Sequence, residues 1–161
     1  NTISVKAAVN PTGDNAYLSL DNAIKTLKKA KAAGLQTNLV LLYSDEMTYA
    51  GTQKLPEGWT VKNAVDKAKD YTKEVVENAI PTIITIGNEV DWNFLGITEE
   101  GGWNGWVAMG DISAYLKDNG IKNAVSIAAP KEASAIKEII DGKLKWTKAD
   151  YDYIGKPLSR R

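Results

Sequence analysis

Ile84-Thr85-Ile86-Gly87-Asn88-Glu89-Val90 is an apolar run that stops abruptly at an Asn-Glu pair. A short β-branched run of this kind reads as a buried strand. A carboxylate delivered at the C-terminal end of a buried parallel strand occupies the position where α/β barrels place their reactive groups. The segments on either side settle the architecture, because they alternate between strand and helix patterns.

Upstream, Thr2 to Val9 reads as a strand closed by the turn Asn10-Pro11-Thr12-Gly13-Asp14. Ser19 is placed to cap a helix whose apolar stripe is Leu20, Ala23, Ile24, Leu27 and Ala30, and Gly34 ends it. Gln36 to Leu42 is a second strand, followed by a polar loop from Tyr43 to Trp59. Thr60 caps a second helix with the stripe Val61, Ala64, Val65, Ala68, Tyr71, Val75, Val76 and Ala79. Pro81 then introduces the third strand, Thr82 to Ile86.

Downstream, a Gly- and Trp-rich loop is expected from Asp91 to Gly105, then a helix from about Trp106 to Asn119 ended by Gly120. Lys122 to Ala129 reads as the fourth strand, Lys131 to Asp141 as a helix ended by Gly142, and Tyr151 to Ile154 as a short fifth strand. This alternation predicts one α/β domain over residues 1–161, with a parallel sheet of about five strands and right-handed crossovers. Five strands do not close an eight-stranded barrel. The expectation is therefore a curved piece of a TIM barrel or, alternatively, an open flavodoxin-like sheet. A homodimer through the open sheet edges is one way to cover them.

Composition narrows the chemistry. The chain has 161 residues, 43% hydrophobic and 25% charged, with 20 basic and 20 acidic residues. Zero formal charge offers no general attraction to nucleic acid or anionic lipid, and Arg160-Arg161 is too short to change that. There is no Cys and no His, so thiolate or imidazole metal sites and His-based triads are excluded. No metal and no cofactor is expected. No stretch approaches a membrane span, and the N-terminus carries no signal-peptide pattern.

The run from Leu20 through Trp59, then Tyr71 to Val76, Thr82 to Val90 and Tyr151 to Gly155, resembles glycoside hydrolase family 53, with Tyr43-Ser44-Asp45, Gly51, Gln53, Pro56, Trp59 and Gly87-Asn88-Glu89 as landmarks. The resemblance implies an endo-β-1,4-galactanase ancestry, a (β/α)8 barrel with two catalytic glutamates on strand ends, a β-galactan-type polysaccharide as partner and an extracellular setting. It places Glu89 at the acid/base position and Asn88 beside the sugar. By the same match the chain covers the family's second to sixth strands, and the nucleophilic glutamate of the seventh has no counterpart.

Departures accompany the match. The first strand carries Lys6 where the family brings Arg, the segment before Tyr43-Ser44-Asp45 reads Val40-Leu41-Leu42, and Ala128-Ala129 stand near a usual His. Lys156-Pro157-Leu158-Ser159-Arg160-Arg161 replaces a Tyr-rich continuation. These losses predict an inner face that has turned from site into apolar core.

As residues, Glu89 is a candidate general acid, or simply a solvated carboxylate at a strand end. Asp45 is the alternative second carboxylate, for which a loop cap is the plainer role; Asp91 and Glu46 share that plainer reading. Trp92 and Trp103, with Asn88 and Tyr43, are candidate sugar contacts, because pyranose rings stack on aromatic faces. Trp59, Trp106 and Trp146 are read as packing residues, and Lys6 as a substitute for a site Arg or a snorkelling edge residue. The functional expectation is a galactanase-like glycoside hydrolase without an identifiable nucleophile, hence weakly active or inactive. The alternatives are a non-catalytic carbohydrate-binding remnant and a structural or engineered barrel-fragment scaffold.

Overall fold

The computed structural model describes residues 1–79, 81–91, 94–97, 102–128, 141, 147 and 149–155, with the side chains of residues 102–104 excluded. Its elements are β1 (Thr2–Ala7), a 3-10 turn (Gly13–Leu18), α1 (Leu20–Ala32), β2 (Gln36–Leu41), α2 (Ala64–Ala79), β3 (Ile83–Ile86), α3 (Gly102–Asp118), β4 (Lys122–Ser126) and β5 (Tyr153–Gly155). The expected helix from Lys131 to Asp141, Trp146 and the 156–161 segment lie outside the described residues, Asp141 apart.

All neighbouring strands pair in parallel, and their spatial order is β1-β2-β3-β4-β5. Sequential order is what a barrel wall requires, and it overturns the flavodoxin-like alternative, whose order reverses after its first strand. The register lines up Lys6, Val40, Thr85, Ala124 and Tyr153 in one row across the sheet. Because side chains alternate along a strand, this row faces one way while Val5, Leu39, Ile84 and Val125 face the other.

The second face is the core. Leu39, Leu41, Ile84, Ile86 and Val125 pack with Ala23 and Leu27 of α1, Ala64, Ala68 and Val75 of α2, and Met109, Ile112 and Leu116 of α3. Ser19 caps α1 through its hydroxyl, which accepts from the Asn22 amide at 3.2 Å. Thr60 and Asn63 bond reciprocally, Thr60 N to Asn63 Oδ1 at 2.8 Å and Asn63 N to Thr60 Oγ1 at 3.3 Å. That turn uses residues 60–63, so α2 starts at Ala64 and Val61 is left 37% exposed, outside the stripe expected of it.

α3 begins at Gly102, whereas the Gly-Trp segment reads as loop. Glycine disfavours helix by about 1 kcal/mol, but the buried Trp106, Met109, Ile112 and Leu116 anchor this helix on the sheet, and tertiary packing overrides the local preference. β1 also stops early. The Ala8 amide turns to the Leu18 carbonyl at 2.9 Å and the Val9 amide to the Ser44 carbonyl at 2.8 Å, which draws the chain out of the sheet.

The first face differs from the apolar core expected of it. Lys6, Asn38, Thr85, Asn88, Ser126 and Tyr153 help line an open concavity of about 270 Å³. The parity of each strand sends most of its polar residues to this side, Thr37 and Asn123 excepted, and the Val and Leu runs mostly to the helices. Only near the strand ends do Ala8, Leu18, Val40 and Leu42 form a small apolar cluster, with Met47 against it.

Candidate functional site

The site is built where β3 ends. Leu41 O receives the Gly87 amide at 2.9 Å, and the chain then passes through Gly87 at φ 76° and Glu89 at φ 51°. A left-handed conformation costs a non-glycine residue about 1–2 kcal/mol, so the surroundings must hold Glu89 there. They do so through three contacts, two from Ser126 and one from Gln53. The Val90 amide returns to the Ser126 carbonyl at 3.0 Å, the Glu89 amide lies 3.4 Å from Ser126 Oγ, and the Glu89 carbonyl accepts from Gln53 Nε2 at 2.8 Å.

The carboxylate itself is held by the loop after β2: Glu89 Oε2 accepts from the Ala50 amide at 2.9 Å. Asn88 is fixed at both ends of its amide, donating from Nδ2 to the Thr48 carbonyl at 2.7 Å and accepting at Oδ1 from Ser126 Oγ at 3.2 Å. Its carbonyl receives Thr48 Oγ1 at 3.2 Å and Gln53 Nε2 at 3.1 Å. Asn88 and Glu89 are thus side by side and partly buried at the end of β3, with Asn88 lining the concave face.

Asp45 is placed differently. One of its oxygens accepts from the Asn10 amide and the other from the Glu57 amide, both at 2.9 Å. It ties the loop after β1 to the loop after β2. Asp91 caps backbone in the same manner, accepting from the Ala128 amide at 2.6 Å.

Tyr43, expected among the sugar contacts, is 1% exposed. Its own left-handed φ of 50° turns the ring into the helix layer, edge-on to Phe94 at 4.8 Å and to Tyr71 at 5.8 Å. Its hydroxyl meets Thr72 Oγ1 at 2.6 Å. Burial raises its ionisation well above the usual tyrosine range, and the Thr72 bond offsets this only in part. Such a ring is closed to ligand.

Trp92 lies outside the described residues. Trp103 stands in the first turn of α3, not in an exposed loop, and its side chain is likewise outside them. Trp59 is half-buried beside Tyr71, ring centroids 6.5 Å apart, and Trp106 is buried in the core. Lys6 lies on the inner face with Asn38, Thr85 and Ser126. Among the described residues, no group of three or more His, Cys, Asp or Glu side chains is arranged to hold a metal ion, and no helix is long and apolar enough to cross a membrane.

Three contributors carry no local signal of a role: Thr48, Gln53 and Ser126. Gln53 stands out only as one landmark of a loop. Ser126 is the last residue of an ordinary strand, and its meeting with Asn88 depends on the β3–β4 register.

The model of Glycosyl hydrolase family 53 matches residues 1–158. The chain is 29% identical over 162 residues to an arabinogalactan endo-β-1,4-galactanase of Cellvibrio japonicus, covering 86% of this chain and 42% of that protein. It is 37% identical over 97 residues to one of Thermothelomyces thermophilus, covering 56% of this chain and 29% of that protein. A structure from a study of two fungal β-1,4-galactanases superposes with TM-score 0.78 at 24% identity, over 97% of this chain and 51% of its own. The Ignisphaera aggregans GH53 catalytic domain superposes with TM-score 0.81 at 22% identity, over 98% and 48%. The chain spans less than half the length of these curated relatives and about half of each solved structure, and its sheet has the fold of part of their barrel.

Proposed function

This chain belongs to glycosyl hydrolase family 53, and on that premise we propose that Glu89 is the acid/base of a galactanase-type site, with β-1,4-galactan as the polysaccharide recognised. The observation that carries the reading is the paired presentation of Asn88 and Glu89 at the end of β3, with Glu89 Oε2 on the Ala50 amide and Asn88 between Thr48 and Ser126.

In that role the protonated Glu89 gives its proton to the glycosidic oxygen as the C1–O bond breaks, and a second carboxylate forms a bond to C1. The Glu89 carboxylate then takes a proton from the water that releases the sugar. Asn88 orients a ring hydroxyl next to the reacting carbon. A retaining pair stands about 5–5.5 Å apart, and Asp45 and Asp91 are both engaged with backbone amides. Among the described residues no nucleophile is assigned, and turnover of galactan by the chain alone is expected to be weak.

The open polar face with Lys6, Asn38 and Ser126 favours a second reading, a carbohydrate-binding remnant that holds sugar without cleaving it. Reducing-sugar release from β-1,4-galactan, with Glu89→Gln beside it, tests the first reading. Turnover abolished in the variant supports it. Galactan binding by tryptophan fluorescence with no turnover in either protein leaves the binding role, and no binding at all removes both.

A further inference from the structure

We infer that Gln53 is the positioning residue of this site, a side chain that sets the geometry of Glu89 without touching sugar; the inference rests on the reading of Glu89 as the site's acid. Gln53 is 8% exposed, and its Nε2 donates to two successive carbonyls, Asn88 O at 3.1 Å and Glu89 O at 2.8 Å. Both partners can only accept, so the amide must present its NH2 group to them. The consequence is visible at the other end of the amide: Gln53 Oε1 is buried and has no hydrogen-bond partner among the described residues. Buried acceptors are normally paired, and leaving this one unpaired marks where the stronger demand lies.

That demand is the left-handed turn at Glu89. A glycine would adopt it freely, but an acid cannot be a glycine, so the peptide needs outside restraint. Gln53 clamps the carbonyls on either side of the Glu89 Cα, while Ala50, three residues earlier in the same loop, holds the carboxylate. One rigid loop thereby fixes both the backbone and the tip of the acid. The loop is itself pinned: Gly96, at φ 75°, passes so close to Gln53 that a Cβ on it would lie 2.3 Å from the Gln53 carbonyl oxygen. The loop after β2, the end of β3 and the turn at Gly96 converge on one residue.

The test uses the full chain with Gln53→Leu and Gln53→Glu, and two magnetic-resonance readouts at the site. The one-bond Cα–Hα coupling of Glu89 reports the sign of φ, and hydrogen exchange of the Ala50 amide reports its bond to the carboxylate. In Gln53→Leu, Glu89 is expected to leave positive φ and Ala50 protection to fall about tenfold, the equivalent of one lost hydrogen bond, while the amides of Leu39 and Leu41 stay protected. Gln53→Glu supplies one O–H donor when protonated and none when ionised. It should therefore rescue the geometry at low pH and lose it as the pH rises, which a generally destabilised chain would not do. Should Leu39 and Leu41 open as well in Gln53→Leu, the pH response of Gln53→Glu decides. An unchanged Glu89 coupling and unchanged Ala50 protection across that titration would overturn the inference. Galactan binding is measured separately on the same samples. Absence of binding in the parent chain with the resonance changes intact removes the sugar reading and not the positioning.

Discussion

The hydroxyl of Tyr43 lies 2.6 Å from Oγ1 of Thr72, which in turn donates to the Ala68 carbonyl at 2.8 Å. This buried relay joins the end of β2 to the middle of α2. It also sets how the chain responds to alkali. Burial pushes Tyr151 up to about 12 and raises Tyr43 and Tyr71 as well, against an ordinary value of 10.0. Above about pH 10 the folded chain keeps phenolic protons that the unfolded chain releases. The stability these groups contribute is complete below about pH 10 and declines as pH rises through their folded values.

Each such tyrosine steepens the decline by up to about 1.4 kcal/mol per pH unit. Melting temperature followed from about pH 9 to 12 should fall less steeply in Tyr43→Phe than in the parent. Parallel slopes would mean that Tyr43 ionises as it does in the unfolded chain.

Gly96 and Gly58 both sit at positive φ, but only Gly96 is crowded. Gly58→Ala is expected to cost about 1–2 kcal/mol for the left-handed backbone alone. Gly96→Ala adds a collision with the Gln53 backbone, and overpacking of that kind costs a further 1–3 kcal/mol or so. Urea titration of the two variants makes the comparison, and equal midpoints would show that the contact between Gly96 and Gln53 is loose.

Asp45 distinguishes a tie from a catalyst. Asp45→Ala removes two acceptors for backbone amides, worth about 1–3 kcal/mol together, and should lower the denaturation midpoint. Galactan binding by the folded variant should stay as in the parent. Binding or turnover lost while the midpoint holds would return Asp45 to the site.

Ser126→Ala deletes the donor to Asn88 Oδ1 and the neighbour of the Glu89 amide. Stability should change by no more than about 1.5 kcal/mol, because the Thr48 carbonyl still holds Asn88 Nδ2. Galactan affinity should drop several-fold as the Asn88 amide loses one of the two bonds that fix it. Titration calorimetry reads this directly, and an unaltered affinity would put Asn88 outside the sugar contacts.

Much of the framework was legible in the chain itself. The run ending at Gly87-Asn88-Glu89, the spacing of Leu20, Ala23, Leu27 and Ala30, and the Ser19 cap are local signals, since periodicity and capping act over a few residues. They are enough for the parallel α/β order and for the strand end that bears Glu89. Other features depend on which strand lies beside which. The β3–β4 register brings Ser126 to Asn88, and the loop after β2 reaches Gln53 and Ala50 across to Glu89. Tyr43 enters the core through a backbone turn that no pattern announces, and Trp103 joins a helix because Trp106, Met109 and Ile112 pack on the sheet. The sequence by itself determined the strands, the helices and the acid at a strand end, because those follow from short-range pattern. Only the tertiary structure decided which face stays open and which side chains hold the acid, because hydrogen bonds between segments 35 to 39 residues apart exist only once the sheet has set their register.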